Sequence, residues 1–289
     1  MHPLKGIALK ICSVITFITM ASLIKATAQH VPAGQAVFFR SVFALPVILA
    51  WLAVRGDLRT GLKAASPMGH FWRGFVGTAA MGLGFAGLGL LPLPEVTAIG
   101  YAAPLMTVIL AAMFLGEQVR LFRLGAVALG MVGVLIVLGP RLSAFSGDTV
   151  AKTAALGAML VLTGALCAAL AQIYIRKLVQ SEQTSAIVFY FSVTSASLSL
   201  LTLPFGWVLP TGQEAAFLIL AGLLGGMGQI FLTSAYRFAP ASVVAPFDYA
   251  SMLFAILIGM FFFNEIPDLR TIGGAALVIL AGVIIIWRE

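Results

Sequence analysis

The sequence predicts an all-α polytopic membrane protein: ten transmembrane helices arranged as two inverted five-helix repeats. Three observations predict it. Hydrophobic residues make up 61% of the 289-residue chain and charged residues only 9%, against roughly 25% charged in an ordinary soluble domain. Mean hydropathy is +1.08, more apolar surface than a core of this size can hide, so lipid must act as solvent. The apolar residues fall into segments of membrane length, about 20 residues each, and the second half of the chain carries a weak copy of the first.

Taken in order, the predicted spans begin with Ile7–Thr27. It is longer than a signal-peptide core and no small-residue cleavage site follows it, so it is expected to be retained. Ala33–Val54, His70–Leu90, Val96–Leu115 and Phe122–Gly139 complete the first set. Thr153–Ile175, Thr184–Gly206, Glu214–Tyr236, Ser242–Phe262 and Leu269–Trp287 form the second. The connections are short and leave no room for an extramembrane catalytic domain. The stretch from Pro140 to Lys152, with Pro140, Ser143, Ser146, Gly147 and Asp148, reads as a linker. The expected division is 1–140, a linker over 141–152, and 153–289.

A shift of 148 residues lays Pro92 on Pro240, Tyr101 on Tyr249, Glu117 on Glu265 and Gly125 on Gly273, with Gln35 on Gln183 at the same offset. Polar, glycine and proline matches in one order carry this repeat, since apolar matches mean little in such a chain. Five spans is an odd number, so the second copy must enter the membrane with opposite sense. Inverted repeats of this kind build many secondary transporters, with the substrate site near mid-membrane between the halves.

The net charge is +7 and the pI about 9.8. With the N-terminus in the cytoplasm, the inner side carries Lys5, Lys10, Arg55, Arg59, Lys63, Arg73, Arg120, Arg123, Arg176, Lys177, Arg237 and Arg288. The outer side carries Lys25, Arg40, Arg141, Lys152 and Arg270. This excess is the positive-inside signature and puts both termini in the cytoplasm of an inner-membrane protein. The basic balance is topology and needs no nucleic-acid partner. Cys12 and Cys167 both fall within spans and read as small buried side chains, without a disulfide framework.

Ten helices, a five-plus-five duplication and the helix ends Phe114–Glu117 (FLGE) and Phe262–Glu265 (FFNE) resemble the drug/metabolite transporter superfamily, in particular its bacterial EamA-type branch. Pro240–Asp268 is similar to the last-but-one helix of that branch. The resemblance implies transport of a small metabolite such as amino acids, riboflavin, nucleobases or S-adenosylmethionine, and export of neutral or aromatic amino acids is the preferred expectation. An importer of riboflavin, nucleobase or S-adenosylmethionine in the same fold is the alternative, and a channel or a nontransporting scaffold are rivals.

Among the ten acidic residues, Asp248 lies deepest, roughly 9 Å into its span at 1.5 Å per residue. An ionisable group at that depth suggests function: its carboxylate could exchange a proton during the cycle or hold an ammonium group. The alternatives are a structural ion pair with Arg237 or Lys25, or an interfacial residue in contact with cytoplasmic water. Lys25, near the outer end of the first span, reads either as a site cation or as a side chain snorkelling to the interface. Arg40, about one and a half turns into the second, could clamp a carboxylate, cap helix carbonyls, or pair with Glu95 or a lipid phosphate.

Pro46, Pro104 and Pro246 each remove a backbone donor within a span. The freed carbonyls near Pro104 and Pro246 could meet a substrate, or mark packing kinks. Tyr101 and Tyr249, within a turn of these prolines, each offer a hydroxyl and a ring face to a substrate or to a neighbouring helix. Gln172 and Gln229 belong to spans that in this family flank the central cavity. His70, Phe71, Trp72 and Arg73 read as an interfacial belt. Gly222-xxx-Gly226 suits close helix packing, and Ala126-xxx-Gly130 suits packing or a homodimer contact. Three histidines and two cysteines without ligand spacing predict no metal or other cofactor. Without a phosphate-binding Gly-x-x-x-x-Gly-Lys loop or a nucleophile–base pair, neither an ATP-driven pump nor an enzyme is expected.

Overall fold

The computed structural model describes residues 3–58, 60–115, 121–142, 149–238 and 245–287. Among them the regular structure is helical and no strand occurs. Lipid demands this of an unclosed chain, because every backbone donor and acceptor must be satisfied within its own segment. The first half comprises α1 (Pro3–Thr27), α2 (Ala33–Val54), α3 (Pro67–Leu90), α4 (Leu93–Gly100), α5 (Ala102–Leu115) and α6 (Leu121–Leu142). The second comprises α7 (Thr149–Leu178), α8 (Thr184–Ser199) with a 3-10 extension (Leu200–Thr202), and α9 (Gly212–Phe238). A 3-10 turn (Ala245–Tyr249) then leads into α10 (Ala250–Phe263), and α11 (Leu269–Trp287) follows. With α4 and α5 counted as one broken span, ten helical segments result among the described residues. Glu117, Pro240 and the linker residues Ser143 to Asp148 lie outside the described residues, and so does the Pro246 side chain.

Among the described residues, six helical stretches are long and apolar enough to cross a membrane: Leu4–Thr27, Ala33–Val54, Leu93–Phe114, Ala151–Leu178, Thr184–Thr202 and Gly212–Ala235. Leu124–Pro140, Phe247–Phe263 and Leu269–Ile284 are shorter apolar helices. His70, Arg73 and a run of glycines dilute the hydropathy of α3. Large apolar side chains face outward in a belt that includes Leu49, Met113, Leu253, Phe261 and Phe262. This inversion of the soluble pattern is what a lipid-facing surface requires.

The repeat survives in the helix boundaries. Under the 148-residue shift α5 falls on α10 end to end, α6 and α11 start together, and α3 and α9 stop together. Equivalent helices meet antiparallel. Gly34, opening α2, lies against Thr202 at the end of α8, while Ser185 near the start of α8 donates to the Gly61 carbonyl beyond the end of α2 at 2.7 Å. Gly133 of α6 faces Gly274 of α11, and Gly130 faces Ala281. Like helices running in opposite senses require a two-fold axis in the membrane plane. Ala126 and Gly130 are therefore buried within the chain, with Gly130 against Leu105 and Ala281.

The fourth span breaks where its proline predicts. Pro104 has no N–H to give to the carbonyl of Gly100, so α4 ends there and α5 restarts at Ala102. The ninth span breaks at the same register, between Tyr249 and Ala250. Pro46 faces outward and α2 runs through it. Tyr101 and Tyr249 close the two breaks against each other, their rings edge to face at 5.2 Å between centroids. The Tyr101 hydroxyl lies 2.7 Å from Ser251 Oγ and donates to the Tyr249 carbonyl at 3.2 Å.

Candidate functional site

A cavity of about 340 Å³ opens between the halves. α1 contributes Phe17 and Met20 to its wall, α2 Arg40, α3 the stripe Arg73, Gly77, Met81 and Phe85, and α4 Val96 and Thr97. From the second half come Gln172 of α7, Phe191 of α8 and Gln229 of α9. The wall is largely apolar with a few convergent polar groups, the usual character of a small-molecule site.

Two guanidiniums dominate its chemistry. Arg40 and Arg73 are 1% and 3% exposed. Both lie against one ring: Arg73 Cζ is 3.6 Å and Arg40 Cζ 5.2 Å from the Phe191 centroid. Arg40 Nη2 donates to the Gly225 carbonyl at 3.2 Å. Nε and Nη1 of both arginines have no hydrogen-bond partner among the described residues, and neither has Gln229 Oε1. Two glycines make this possible. A Cβ on Gly77 would lie 2.5 Å from Arg73 Nη1, and one on Gly225 would lie 2.7 Å from Arg40 Nε. Buried charge without a counter-ion is costly, and no carboxylate among the described residues lines the cavity.

Arg73 and His70 therefore leave the expected interfacial belt, and only Phe71 and Trp72 of that tetrad face outward. The readable signal was helical spacing: Arg73 shares its stripe with Gly77, Gly84 and Leu88, a smooth face suited to lining a cavity.

Two polar clusters lie beside the cavity lining, one next to Leu88 and Leu93 and one a turn from Arg73. Lys25 does not snorkel outward. Its Nζ donates to the carbonyls of Leu91 at 2.7 Å and Leu88 at 3.2 Å and pairs with Glu265 Oε1 at 2.8 Å. The helix end FFNE explains the geometry. Asn264 turns into the left-handed region (φ 54°), the Glu265 N–H reaches back to the Gly259 carbonyl at 2.9 Å, and Glu265 Oε2 accepts the Leu93 N–H at 2.8 Å. On the face where the chain begins, Glu182 Oε1 accepts the N–H groups of Ala65 and Ser66, both at 2.7 Å, and lies 3.3 Å from His70 Nε2. Arg237 Nη2 donates to the Glu182 carbonyl at 2.8 Å.

Asp248 pairs with neither expected partner. Lys10 Nζ lies 2.7 Å from its Oδ1, and the Lys10 side chain is 2% exposed, against 36% for Asp248. Asp248 itself sits in the 3-10 turn at the break of its span, where the irregular backbone places it. Arg40, Gln172 and Gln229 are thus brought together at the cavity. Asp248, Tyr101, Tyr249, Pro104 and Lys25 are outside its lining, and the two tyrosines pack on the pseudo-symmetry axis. Lys10, Arg73, Phe191 and Glu182 were not among the site candidates read from the sequence, and Arg73 was read as part of an interfacial belt.

The model of the EamA-like transporter family matches this chain twice, over residues 4–139 and 155–288. The S-adenosylmethionine uptake transporter of Rickettsia prowazekii is 27% identical over 99% of this chain and 94% of its own length. The pseudopaline exporter CntI of Pseudomonas aeruginosa PAO1 is 30% identical over 96% of this chain and 94% of its own length. One solved structure superposes with a TM-score of 0.70 at 20% identity, covering 97% of this chain and 96% of that one, and so shares the fold. The chain belongs to the EamA-like transporter family, within the drug/metabolite transporter superfamily, and is a polytopic membrane transporter.

Proposed function

We propose that this transporter exports a carboxylate-bearing metabolite of the amino-acid class across the inner membrane by alternating access. The observation that carries this reading is the pair of buried guanidiniums, with donors unpartnered among the described residues, in a cavity lined by both halves. Arginine forks are suited to carboxylates, and the Phe17, Phe85 and Phe191 rings offer apolar area to the rest of the solute. The positive-inside charge distribution supports cytoplasmic termini. The repeats would then span 1–140 and 153–289 about the linker 141–152, and the two polar clusters would act as alternate gates. Export is supported by likeness to the pseudopaline exporter. Uptake of S-adenosylmethionine, itself an amino-acid derivative, is the second reading, favoured by likeness to the Rickettsia transporters.

Counterflow tests the proposal. Proteoliposomes are loaded with unlabelled amino acids, riboflavin, nucleobases or S-adenosylmethionine, one at a time, and tracer uptake is followed. Saturable exchange of an amino-acid-class solute, abolished in Arg40→Gln, is expected. Exchange confined to riboflavin or nucleobases would remove the amino-acid reading and leave the transporter.

A further inference from the structure

Building on the reading of this cavity as the transport site, we infer that its solute is a small amine-bearing dicarboxylate, of the acidic amino-acid class. A single carboxylate neutralises one cation. The cavity holds two, both buried, and no carboxylate among the described residues lines it. The two guanidiniums lie against the same Phe191 ring, so their carbons can be no farther apart than 5.2 Å and 3.6 Å laid end to end. Like charges this close repel, and a solute with two negative groups relieves both at once. Gln229 Oε1 supplies a buried acceptor with no partner of its own among the described residues, which suits a substrate ammonium group. Two donor clusters and one acceptor thus match two carboxylates and one amine. The same count disfavours the neutral or aromatic amino acid expected from the sequence, which leaves one guanidinium unneutralised. It also disfavours a solute of net positive charge.

The test uses the full chain purified in detergent, with L-glutamate, L-glutamine, glutarate and L-phenylalanine as probes, and reads binding by isothermal titration. L-glutamate is expected to bind about tenfold or more tighter than L-glutamine, which replaces one charged group by a neutral amide of the same shape. Arg73→Gln and Arg40→Gln should each abolish that preference. Gly77→Ala, which pushes a methyl onto the Arg73 fork, should reduce it. Gln229→Leu should shrink the preference of glutamate over glutarate, which lacks the amine. Gly125→Ala, where a Cβ meets nothing within 4 Å, controls for handling. Equal or tighter binding of L-glutamine, or no binding of either diacid, overturns the inference. If L-phenylalanine or S-adenosylmethionine then exchanges in counterflow, the transport reading stands without it. Arginine-dependent glutamate binding with no exchange of any solute would uphold the dianion site and sink transport instead.

Discussion

Lys10 Nζ lies 2.7 Å from Asp248 Oδ1 and ties α1 to the break in the ninth span. The pair is unequal, with the ammonium buried and the carboxylate one-third exposed. Removing the carboxylate takes a counter-charge from a buried ammonium, whereas removing the ammonium leaves an acid that solvent can reach. Asp248→Asn is expected to destabilise the protein by about 1–3 kcal/mol, below the full cost of a broken buried pair because of that exposure. The double variant with Lys10→Met should recover part of the loss. Unfolding in detergent measures both. Transport should fall sharply in Asp248→Asn, and wild-type flux there would confine the pair to a structural role.

The Lys25–Glu265 cluster joins the ends of α1, α3 and α10 to the start of α4 through one ammonium and one carboxylate. Glu265→Gln removes the charge attraction but keeps the hydrogen-bonding shape. The equilibrium should shift toward the state open at that face, since the variant weakens contacts of one conformation only. With Cys12 and Cys167 replaced by alanine, a cysteine introduced at Leu88 on the cavity wall should react faster with an impermeant maleimide. An increase of about tenfold corresponds to a loss of roughly 1.4 kcal/mol. Unchanged labelling would mean that these groups do not gate the cavity.

Much of this architecture was legible in the sequence because its causes are local. Length and hydropathy give the spans, an odd count gives the inversion, and Pro104 gives the break four residues upstream of it. The polar site was less legible because depth in a membrane is not read from sequence distance to a span end. Lys10 stands three residues after the predicted start of its span, yet the helix begins earlier, at Pro3, and buries it. Glu182 sits in a short connection and is 5% exposed because Ala65, Ser66 and His70 fold over it from another part of the chain. Arg73 resembles an interfacial cation until α8 brings Phe191 beneath it. These are long-range contacts, for which no single segment carries a signal.

Tyr101 and Tyr249 illustrate the reverse case. Symmetry and nearby prolines made them site candidates, yet the rings pack on each other and the Tyr101 hydroxyl is taken up by Ser251 and the Tyr249 carbonyl. Tyr101→Phe should therefore cost stability, about 1 kcal/mol for a lost buried hydrogen bond, and leave substrate affinity unchanged. A rise in Kd or KM with stability intact would restore the tyrosine to the binding site.

Adjacent glycines on α11 give a contrast with opposite signs. A Cβ on Gly274 would lie 2.5 Å from the Gly133 carbonyl and from Val137 Cγ2, while one on Gly273 meets nothing within 4 Å. The first glycine lets α6 and α11 cross backbone to backbone at the junction of the two halves. The second serves no contact and carries only the conformational freedom of glycine in a helix. Gly274→Ala must push the helices apart and is expected to lower the unfolding temperature, with about 1–3 kcal/mol lost to overpacking. Gly273→Ala should be neutral or stabilising by up to about 1 kcal/mol, since alanine is the better helix former. Thermal unfolding of both variants in the same detergent decides the matter. If Gly274→Ala proved as stable as Gly273→Ala, the close crossing of the halves at this point would be wrong.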